Sequence, residues 1–267
     1  MSTNLENWLT HAVHAARLGA EQLEFWRSRF TVREKARADL VTEGDQASQL
    51  AVIGYLQEQF PDHAFIGEED PASKDIRELP SDAPPTWIID PLDGTVNYAH
   101  DVPAYCVSIG LMAAGQLQVG VIFDPRMNEL FTAALGGGAH LNGSPMSVST
   151  ISKLEYGLVS TGFPPNPDAQ ARIFPCWQEM SLSSQAIRRT GSTALNLAYV
   201  AAGRFDGYYA LDNWAWDVAA GILLVTEAGG AVSSATGSPV NPFRPDILAT
   251  NGHLQAEMLA IMAKYYQ

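Results

Sequence analysis

The chain has 267 residues, of which 29 are acidic and 16 basic, so its formal net charge is −13. Its hydrophobic content of 46% is that of a globular protein and excludes a collagen-like or disordered chain. The excess of acid argues against direct non-specific binding to nucleic acid, because phosphate backbones require clustered Lys and Arg.

The first elements along the chain are two helices. Apolar residues recur at three- and four-residue steps over 4–28, which predicts an amphipathic helix. A second helix is predicted from about 45 to 60, where Pro61 stops it. A short strand at 64–66 then leads to a proline- and charge-rich stretch, 71–86, which we assign to a surface loop.

A largely antiparallel sheet follows the two helices. Its strands are predicted at 87–89, 105–114, 117–123 and 128–134. The dipeptide Asn142-Gly143 predicts a tight hairpin at the end of this sheet.

Strands and helices alternate in the second half, which favours an α/β layer. The predicted elements are a strand at 158–161, a proline-rich loop at 163–167, a helix at 192–202, a strand at 207–211 and a helix at 215–228. A Ser/Thr cap starts the first of these helices and Gly203 stops it. We place a soft boundary near residue 150, so that 1–150 and 151–267 form two parts of one compact unit.

Three short acidic segments stand at the ends of predicted elements. Glu68–Asp70 follows a strand, Asp90–Thr95 follows the next one, and Trp216-Asp217 begins a helix. Each has an ordinary structural explanation: a solvated loop, a turn, and a helix N-cap. Their common position at element ends also fits a functional site.

The segment that begins at Asp90 is the most informative one. Pro91 fixes one backbone angle and Gly94 frees another, so a tight turn can aim Asp90 and Asp93 at one point. Two carboxylates that close repel each other unless a counter-charge is present. With no Lys or Arg in the segment, a divalent cation is the economical solution, and hard oxygen ligands favour Mg²⁺ or Mn²⁺ over zinc. The turn also frees the Leu92 carbonyl as a further ligand.

The residues that follow the two aspartates suit an anion. Gly94 and Thr95 offer backbone N–H groups and a hydroxyl, and a helix that starts there has an anion-binding N-terminus. A metal beside a phosphate is the arrangement that metal-assisted phosphate ester hydrolysis needs.

Four motifs in this order resemble those of the inositol monophosphatase family, which belongs to the Mg²⁺-dependent, lithium-sensitive phosphatase superfamily. They are Asp39–Thr42 with Asp45, Gly67–Glu69, Trp87–Asn97, and Trp216–Gly221 continuing to Glu227–Gly230. The resemblance spans nearly the whole chain. It implies a layered αβαβα sandwich of the inositol monophosphatase and fructose-1,6-bisphosphatase type, commonly a homodimer, that hydrolyses a small phosphorylated metabolite.

The resemblance also implies a metal site. Glu68, Asp90 and the Leu92 carbonyl would hold one Mg²⁺, and Asp90, Asp93 and Asp217 a second. Glu68 would share a third, weaker ion, and Mn²⁺ is an alternative metal.

Other residues receive roles by the same resemblance. Asp90 joins Glu68 and Thr95 as the catalytic set, in which Glu68 and Thr95 orient the attacking water. Asp45 supports this set. The implied substrate contacts are Gly94, Thr95, Gly191, Ser192, Thr193 and Asp217.

One position departs from the family pattern. Inositol-selective members carry a glutamate seven residues before the last aspartate, and that position is Ala210 here. Asp212 lies two residues further on and would share a strand face with it. The substrate therefore stays open among an inositol phosphate, a fructose bisphosphate, histidinol phosphate and a 3′-phosphonucleotide. A regulatory, partner-binding protein on the same fold is the alternative from another class.

The two cysteines indicate the cellular compartment. Cys106 and Cys176 match no disulfide framework and no zinc spacing, which predicts reduced thiols in the cytoplasm. We find neither a long apolar run nor a secretory signal, so we expect no association with a membrane.

Overall fold

A computed structural model describes residues 3–36, 39–164, 166–244 and 246–266. Its helices are α1 (Thr3–Trp26), α2 (Glu43–Gln59), α3 (Thr95–Ala99), α4 (Pro167–Ser183), α5 (Thr193–Ala201), α6 (Ala215–Glu227) and α7 (Gln255–Met262). The first half has strands β1 (Arg33–Ala36), β2 (Asp39–Val41), β3 (Ala64–Gly67), β4 (Thr86–Asp93), β5 (Cys106–Ala113), β6 (Gln116–Asp124), β7 (Glu129–Ala134), β8 (Gly138–Leu141) and β9 (Ser144–Met146). The second half has β10 (Leu158–Thr161), β11 (Ala186–Arg188), β12 (Gly207–Ala210), β13 (Ala231–Ser233) and β14 (Ile247–Thr250).

The larger sheet contains β3 to β9 side by side in chain order. Only its first pair, β3 and β4, is parallel, and the other neighbours are antiparallel. The hairpin between β8 and β9 turns at Asn142 and Gly143, whose φ angles of 49° and 79° fit a two-residue turn of this kind. The sequence prediction of a largely antiparallel sheet closed by this hairpin is confirmed.

The smaller sheet is mixed, with the order β11-β10-β12-β14-β13. Strand β10 is parallel to both of its neighbours, whereas β14 is antiparallel to β12 and β13. Helices connect its parallel strands, as the alternation in the second half of the sequence indicates. Strands β1 and β2 form a separate antiparallel pair.

Apolar clusters show how the helices and the two sheets form layers. Helices α1 and α2 cover the outer face of the larger sheet through residues such as Leu23 and Leu56. Helices α5 and α6 fill the space between the sheets, and α4 and α7 cover the outer face of the smaller sheet. The order of layers is α-β-α-β-α, so the predicted sandwich is confirmed.

Helix α6 lies unusually close to the larger sheet because two strand residues there have no side chain. A Cβ atom on Gly110 would meet the Ala219 Cβ at 2.8 Å, and one on Gly120 would meet the Ala220 carbonyl oxygen at 2.7 Å. This close approach of α6 to β5 and β6 brings the N-terminus of the helix towards the end of β4.

Several elements differ from the sequence prediction. Strand β4 does not end before Asp90 but continues to Asp93 through an irregularity in its pairing with β5. No helix was predicted for the segment of α4; Pro175 lies inside this helix, where a proline removes a helical hydrogen bond. A short 3₁₀ helix, Pro71–Asp75, occupies part of the predicted surface loop. No element was predicted for strands β11, β13 and β14 or for helix α7.

The predicted boundary near residue 150 falls between β9 and β10. Helices α5 and α6 of the second part pack on strands of the first part, and they share one core with them. The division into two parts stays a prediction. Among the described residues, no helix combines the length and the apolar character that crossing a membrane requires.

Candidate active site

The predicted acidic residues meet at one corner of the sandwich. Glu68 directly follows β3, Asp90 and Asp93 lie on the neighbouring strand β4, and Asp217 is in the first turn of α6. Thr95 begins α3 immediately after β4. Three segments that are far apart in the sequence thus converge because β3 pairs with β4 and α6 crosses the same sheet.

Electrostatic coupling shows that these carboxyl groups share one environment. Burial raises the pKa of Asp90 well above its ordinary value, and repulsion from Glu68, Asp93 and Asp217 raises it further. The pKa of Asp217 is also raised, first by burial and then by the charge of Asp93. Burial raises the pKa of Asp93 to about 6, although hydrogen bonds from Ser192 and from the start of α5 oppose this effect.

The irregular end of β4 is held on both sides. The Leu92 N–H donates to Asp90 Oδ1 at 3.0 Å, and the Ser48 hydroxyl on α2 donates to the Pro91 carbonyl at 2.8 Å. Gly94 has a φ of 101°, and a Cβ there would meet the Ala104 carbonyl oxygen at 2.8 Å. The local prediction that glycine frees the backbone at 94 is confirmed.

Thr95 and Asp45 form a hydrogen-bonded pair beside the acidic residues. The Thr95 hydroxyl lies 3.2 Å from Asp45 Oδ1 and 3.1 Å from the Leu92 carbonyl oxygen, both of which can accept its proton. Asp45 Oδ2 accepts from the backbone N–H of Thr42 at 2.8 Å and from its hydroxyl at 2.6 Å. The side chain of Asp39, which begins the same motif, is outside the described residues.

The start of α5 is tied to Asp93. Asp93 Oδ2 accepts from the Ser192 hydroxyl at 2.7 Å and from the Ala194 N–H at 2.5 Å. The same hydroxyl accepts from the Leu195 N–H, so Ser192 caps the helix as predicted. Ser192 is almost fully buried beneath Asp93, whereas Thr193 is partly exposed.

Asn97 links the signature segment to the loop before α5. Its side-chain amide donates to the Thr190 carbonyl at 2.8 Å and to the Ala104 carbonyl at 2.7 Å. Gly191, the next residue of that loop, is exposed and lies against the Asn97 side chain. The loop predicted to contact substrate is therefore fixed to α3.

A cavity of about 220 Å³ opens over this corner. Its wall includes Glu68, Lys74, Thr193, Ala210 and Asp217. Lys74 belongs to the 3₁₀ helix within the predicted surface loop, and the sequence analysis missed it because nothing in the sequence brings that loop to the site. Asp212 is also part of the wall, but it lies beyond the end of β12 with a φ of 60°, so strand alternation does not place it.

Two of the ordinary structural explanations also hold. Asp217 Oδ2 accepts from the Trp214 N–H at 2.8 Å, so this aspartate caps α6 and faces the cavity at the same time. Asp70 is exposed and accepts from the Ala72 N–H at 3.0 Å, which makes it a local cap of the 3₁₀ helix. Asp70 therefore has a local structural role, whereas Glu68 lines the cavity.

The donor set fits a hard divalent cation. Carboxylates and a backbone carbonyl are oxygen ligands of the kind that Mg²⁺ prefers. In the described ranges, no three His, Cys, Asp or Glu side chains already surround one point.

The whole chain matches known proteins. The model of the inositol monophosphatase family matches residues 4–267. An inositol-1-monophosphatase of Synechocystis is 41% identical over 98% of this chain and 90% of its own length. The Nus factor SuhB of Escherichia coli is 40% identical over 86% of this chain and 84% of its own length.

A solved structure agrees with the fold. The inositol monophosphatase from Anabaena superposes with a TM-score of 0.83 at 38% identity, over 98% of both chains. The sandwich and its acidic corner, together with these matches, define a phosphoric monoester hydrolase. The chain belongs to the inositol monophosphatase family.

Proposed function

We propose that the protein hydrolyses a small phosphate monoester with Mg²⁺ at the acidic corner. The single observation that carries this proposal is the convergence of Glu68, Asp90, Asp93 and Asp217 from β3, β4 and α6 on one corner. Burial there, and then repulsion among these carboxylates, raises the pKa of Asp90. A cluster of carboxylates with this charge is stabilised by a bound cation. Glu68, Asp90 and the Leu92 carbonyl would hold one ion.

The second ion would be held by Asp90, Asp93 and Asp217, and Glu68 would share a weaker third. Mn²⁺ would occupy the same oxygen ligands. When bound, the metal would lower the pKa of a water molecule and neutralise negative charge on the phosphoryl group.

The chain's own residues would position the reactants. Glu68 and Thr95 orient the water, and Asp45 fixes the Thr95 hydroxyl at 3.2 Å. The backbone N–H groups of Gly94 and Thr95 would bind the phosphate. The water oxygen would form a bond to phosphorus while the ester P–O bond breaks, and one proton of that water would pass to the leaving alcohol oxygen.

The substrate contacts of the second half would orient the alcohol and the phosphate. Gly191 and Thr193 are accessible for this role, since Gly191 is exposed and Thr193 lines the cavity. Ser192 would act indirectly, by positioning Asp93, because its hydroxyl donates a hydrogen bond to that residue. Inhibition by millimolar lithium, a homodimeric assembly and a cytoplasmic location belong to the same proposal.

The test is release of inorganic phosphate from a panel of sugar, polyol, amino-alcohol and nucleotide phosphates, with Mg²⁺ and then with a chelator. We expect hydrolysis only with the metal, and Glu68→Gln should abolish it. Glu58→Gln, on the exposed side of α2, is the matched control and should be fully active. Metal-independent turnover, or full activity of Glu68→Gln, would contradict the proposal.

The regulatory alternative rests on the name of the SuhB relative. A protein that folds and binds Mg²⁺ but hydrolyses none of the panel would favour it.

A further inference from the structure

A buried phenol lies directly behind the wall of the catalytic cavity. Tyr208, on β12, is fully buried among the apolar residues between the two sheets. Its hydroxyl is 2.9 Å from the hydroxyl of Thr193, which belongs to the cavity wall. Gly162 belongs to the same wall, and a Cβ atom there would lie 3.1 Å from the Tyr208 hydroxyl. At this point a residue without a side chain separates the phenol from the cavity.

The neighbours of this pair decide which of its two hydroxyls donates. Asn196, on α5, is almost completely buried and forms a side-chain hydrogen bond with Tyr208. Its side-chain oxygen accepts from the Thr190 hydroxyl at 2.8 Å, which favours its amide nitrogen as the donor to the phenol oxygen. A phenol that accepts from Asn196 has its own proton for the Thr193 oxygen.

The surroundings of the phenol keep that proton in place. Burial raises the pKa of Tyr208, and repulsion from Asp93 and Asp217 raises it further. The hydrogen bonds with Thr193 and Asn196 oppose this effect without cancelling it. Because a hydroxyl has one proton to donate, a Thr193 oxygen that accepts from the phenol leaves its own proton for another acceptor. A phosphate ester in the cavity is rich in acceptor oxygens.

We propose that Tyr208 is a positioning residue, which orients the Thr193 hydroxyl as a hydrogen-bond donor to an oxygen of the bound ester. This inference rests on the proposed function and deepens it, since it assigns one substrate contact to a side-chain hydroxyl and the orientation of that hydroxyl to another strand. The hydrogen bond is present before and during the reaction, so its loss weakens binding more than turnover.

The test is a double-mutant cycle on kcat and KM, measured with Mg²⁺ and the ester that the wild type hydrolyses fastest. Tyr208→Phe and Thr193→Val should each raise KM about ten-fold, which corresponds to a hydrogen bond of about 1.4 kcal/mol, and should leave kcat nearly unchanged. The double variant should show the same rise of about ten-fold and not one of about a hundred-fold, since the two hydroxyls act as one unit. Thr193→Ser should keep the wild-type KM.

Tyr209→Phe is the matched control, because it removes the same group from the next residue of β12. Tyr209 belongs to the core on the other face of the smaller sheet, so this variant should have the KM of the wild type. Inorganic phosphate, used as a competitive inhibitor, identifies the acceptor. A raised Ki in Thr193→Val assigns the contact to a phosphoryl oxygen, and an unchanged Ki assigns it to the alcohol oxygen.

A second readout separates this role from an effect on the acidic residues nearby. The rise of the unfolding midpoint with Mg²⁺ should be the same in Tyr208→Phe as in the wild type, because Tyr208 acts on the substrate through Thr193. A smaller rise would place the effect at Asp93 or Asp217 and overturn the inference.

The two proposals fail in different ways. If the wild type hydrolyses no ester, the proposed function is wrong. If esters are hydrolysed but the effects of Tyr208→Phe and Thr193→Val multiply, or Tyr208→Phe lowers kcat at an unchanged KM, only the positioning role is wrong. Thr193 is partly exposed, so an unchanged KM in Thr193→Val overturns that role whatever the stability of Tyr208→Phe.

Discussion

Two segments contribute to the site in different ways: the corner from Asp90 to Thr95, and the segment from Ala210 to Asp217. In the corner, nearly every polar group has a fixed partner, such as the Leu92 N–H on Asp90 and the Thr95 hydroxyl on the Leu92 carbonyl. The second segment instead presents cavity walls, with an apolar residue at 210 and an exposed indole at 214.

This contrast suggests different roles for the two segments in binding the phosphate and the alcohol. A corner held by short-range bonds can position a phosphate in the same way whatever alcohol it carries. In the proposed function, the wall from 210 to 214 would meet the alcohol and so select among esters. Changes in the corner should lower turnover for every substrate, and changes in the wall should alter the ratio between substrates.

Asp93→Asn tests the corner most severely. We expect kcat/KM to fall by about 10³-fold or more for all esters, since metal and charge stabilisation contribute several kcal/mol. The amide oxygen can still accept from Ser192 and Ala194, so circular dichroism should show an intact fold. Asp168→Asn, in the exposed first turn of α4, serves as the control. Retained activity in Asp93→Asn would contradict the metal site.

Thr95→Val removes the hydroxyl that bridges Asp45 and Leu92 but keeps the shape of the side chain. We expect kcat to fall by about 10²-fold with little change in KM, as for the loss of a group that positions a proton transfer. Thr95→Ser should restore most of the rate. If the rate fell for one substrate only, the corner would also select among esters, which would contradict the separate roles of the two segments.

Metal binding should join the two segments, because the proposed ligands come from both. At saturating Mg²⁺, about 100 times its Kd, the free energy of unfolding should rise by about 2.7 kcal/mol. Differential scanning calorimetry would measure this increase as a higher Tm. Asp217→Asn should reduce the shift, and Asp212→Asn, from the same segment, should retain it. An equal shift in both variants would remove Asp217 from the metal site.

The pH dependence of this stabilisation follows from the pKa of Asp93, which is raised to about 6. A carboxyl group with a raised pKa binds its proton more tightly in the folded state, so it lowers the stability of the metal-free protein as pH rises from about 4 to about 6. Mg²⁺ requires the deprotonated ligand, so its stabilising effect should grow over the same range. Asp90 and Asp217, whose pKa values are also raised, should act in the same direction. A shift that is constant from pH 5 to pH 7.5 would argue against this group of aspartates as the ligands.

Ala210→Glu tests the wall and should have the smallest effect. A carboxylate restored to this nearly buried position should raise kcat/KM for inositol 1-phosphate relative to glycerol 2-phosphate by about ten-fold. Ala210→Gln controls for side-chain length without the charge. If the ratio is unchanged in both variants, residue 210 does not contact the alcohol.

The sequence predicted the elements that have a clear periodicity and the residues that carry a local constraint. Helices α1 and α2, the hairpin at Asn142-Gly143 and the free backbone at Gly94 all depend on neighbours a few residues away. Helix α4 was not predicted, and its internal Pro175 is a local signal against a helix. The four motifs identified the family because their order and spacing belong to the whole chain.

What only the tertiary structure decided is which distant residues share a space. Lys74 and Trp214 lie in segments whose sequence resembles ordinary loop or packing residues, and they reach the cavities through the pairing of β3 with β4 and the close packing of α6 on Gly110 and Gly120. Local sequence determines backbone propensity and charge. Which charged and aromatic side chains line the same cavity depends on long-range packing. A single sequence contains no direct signal for that packing.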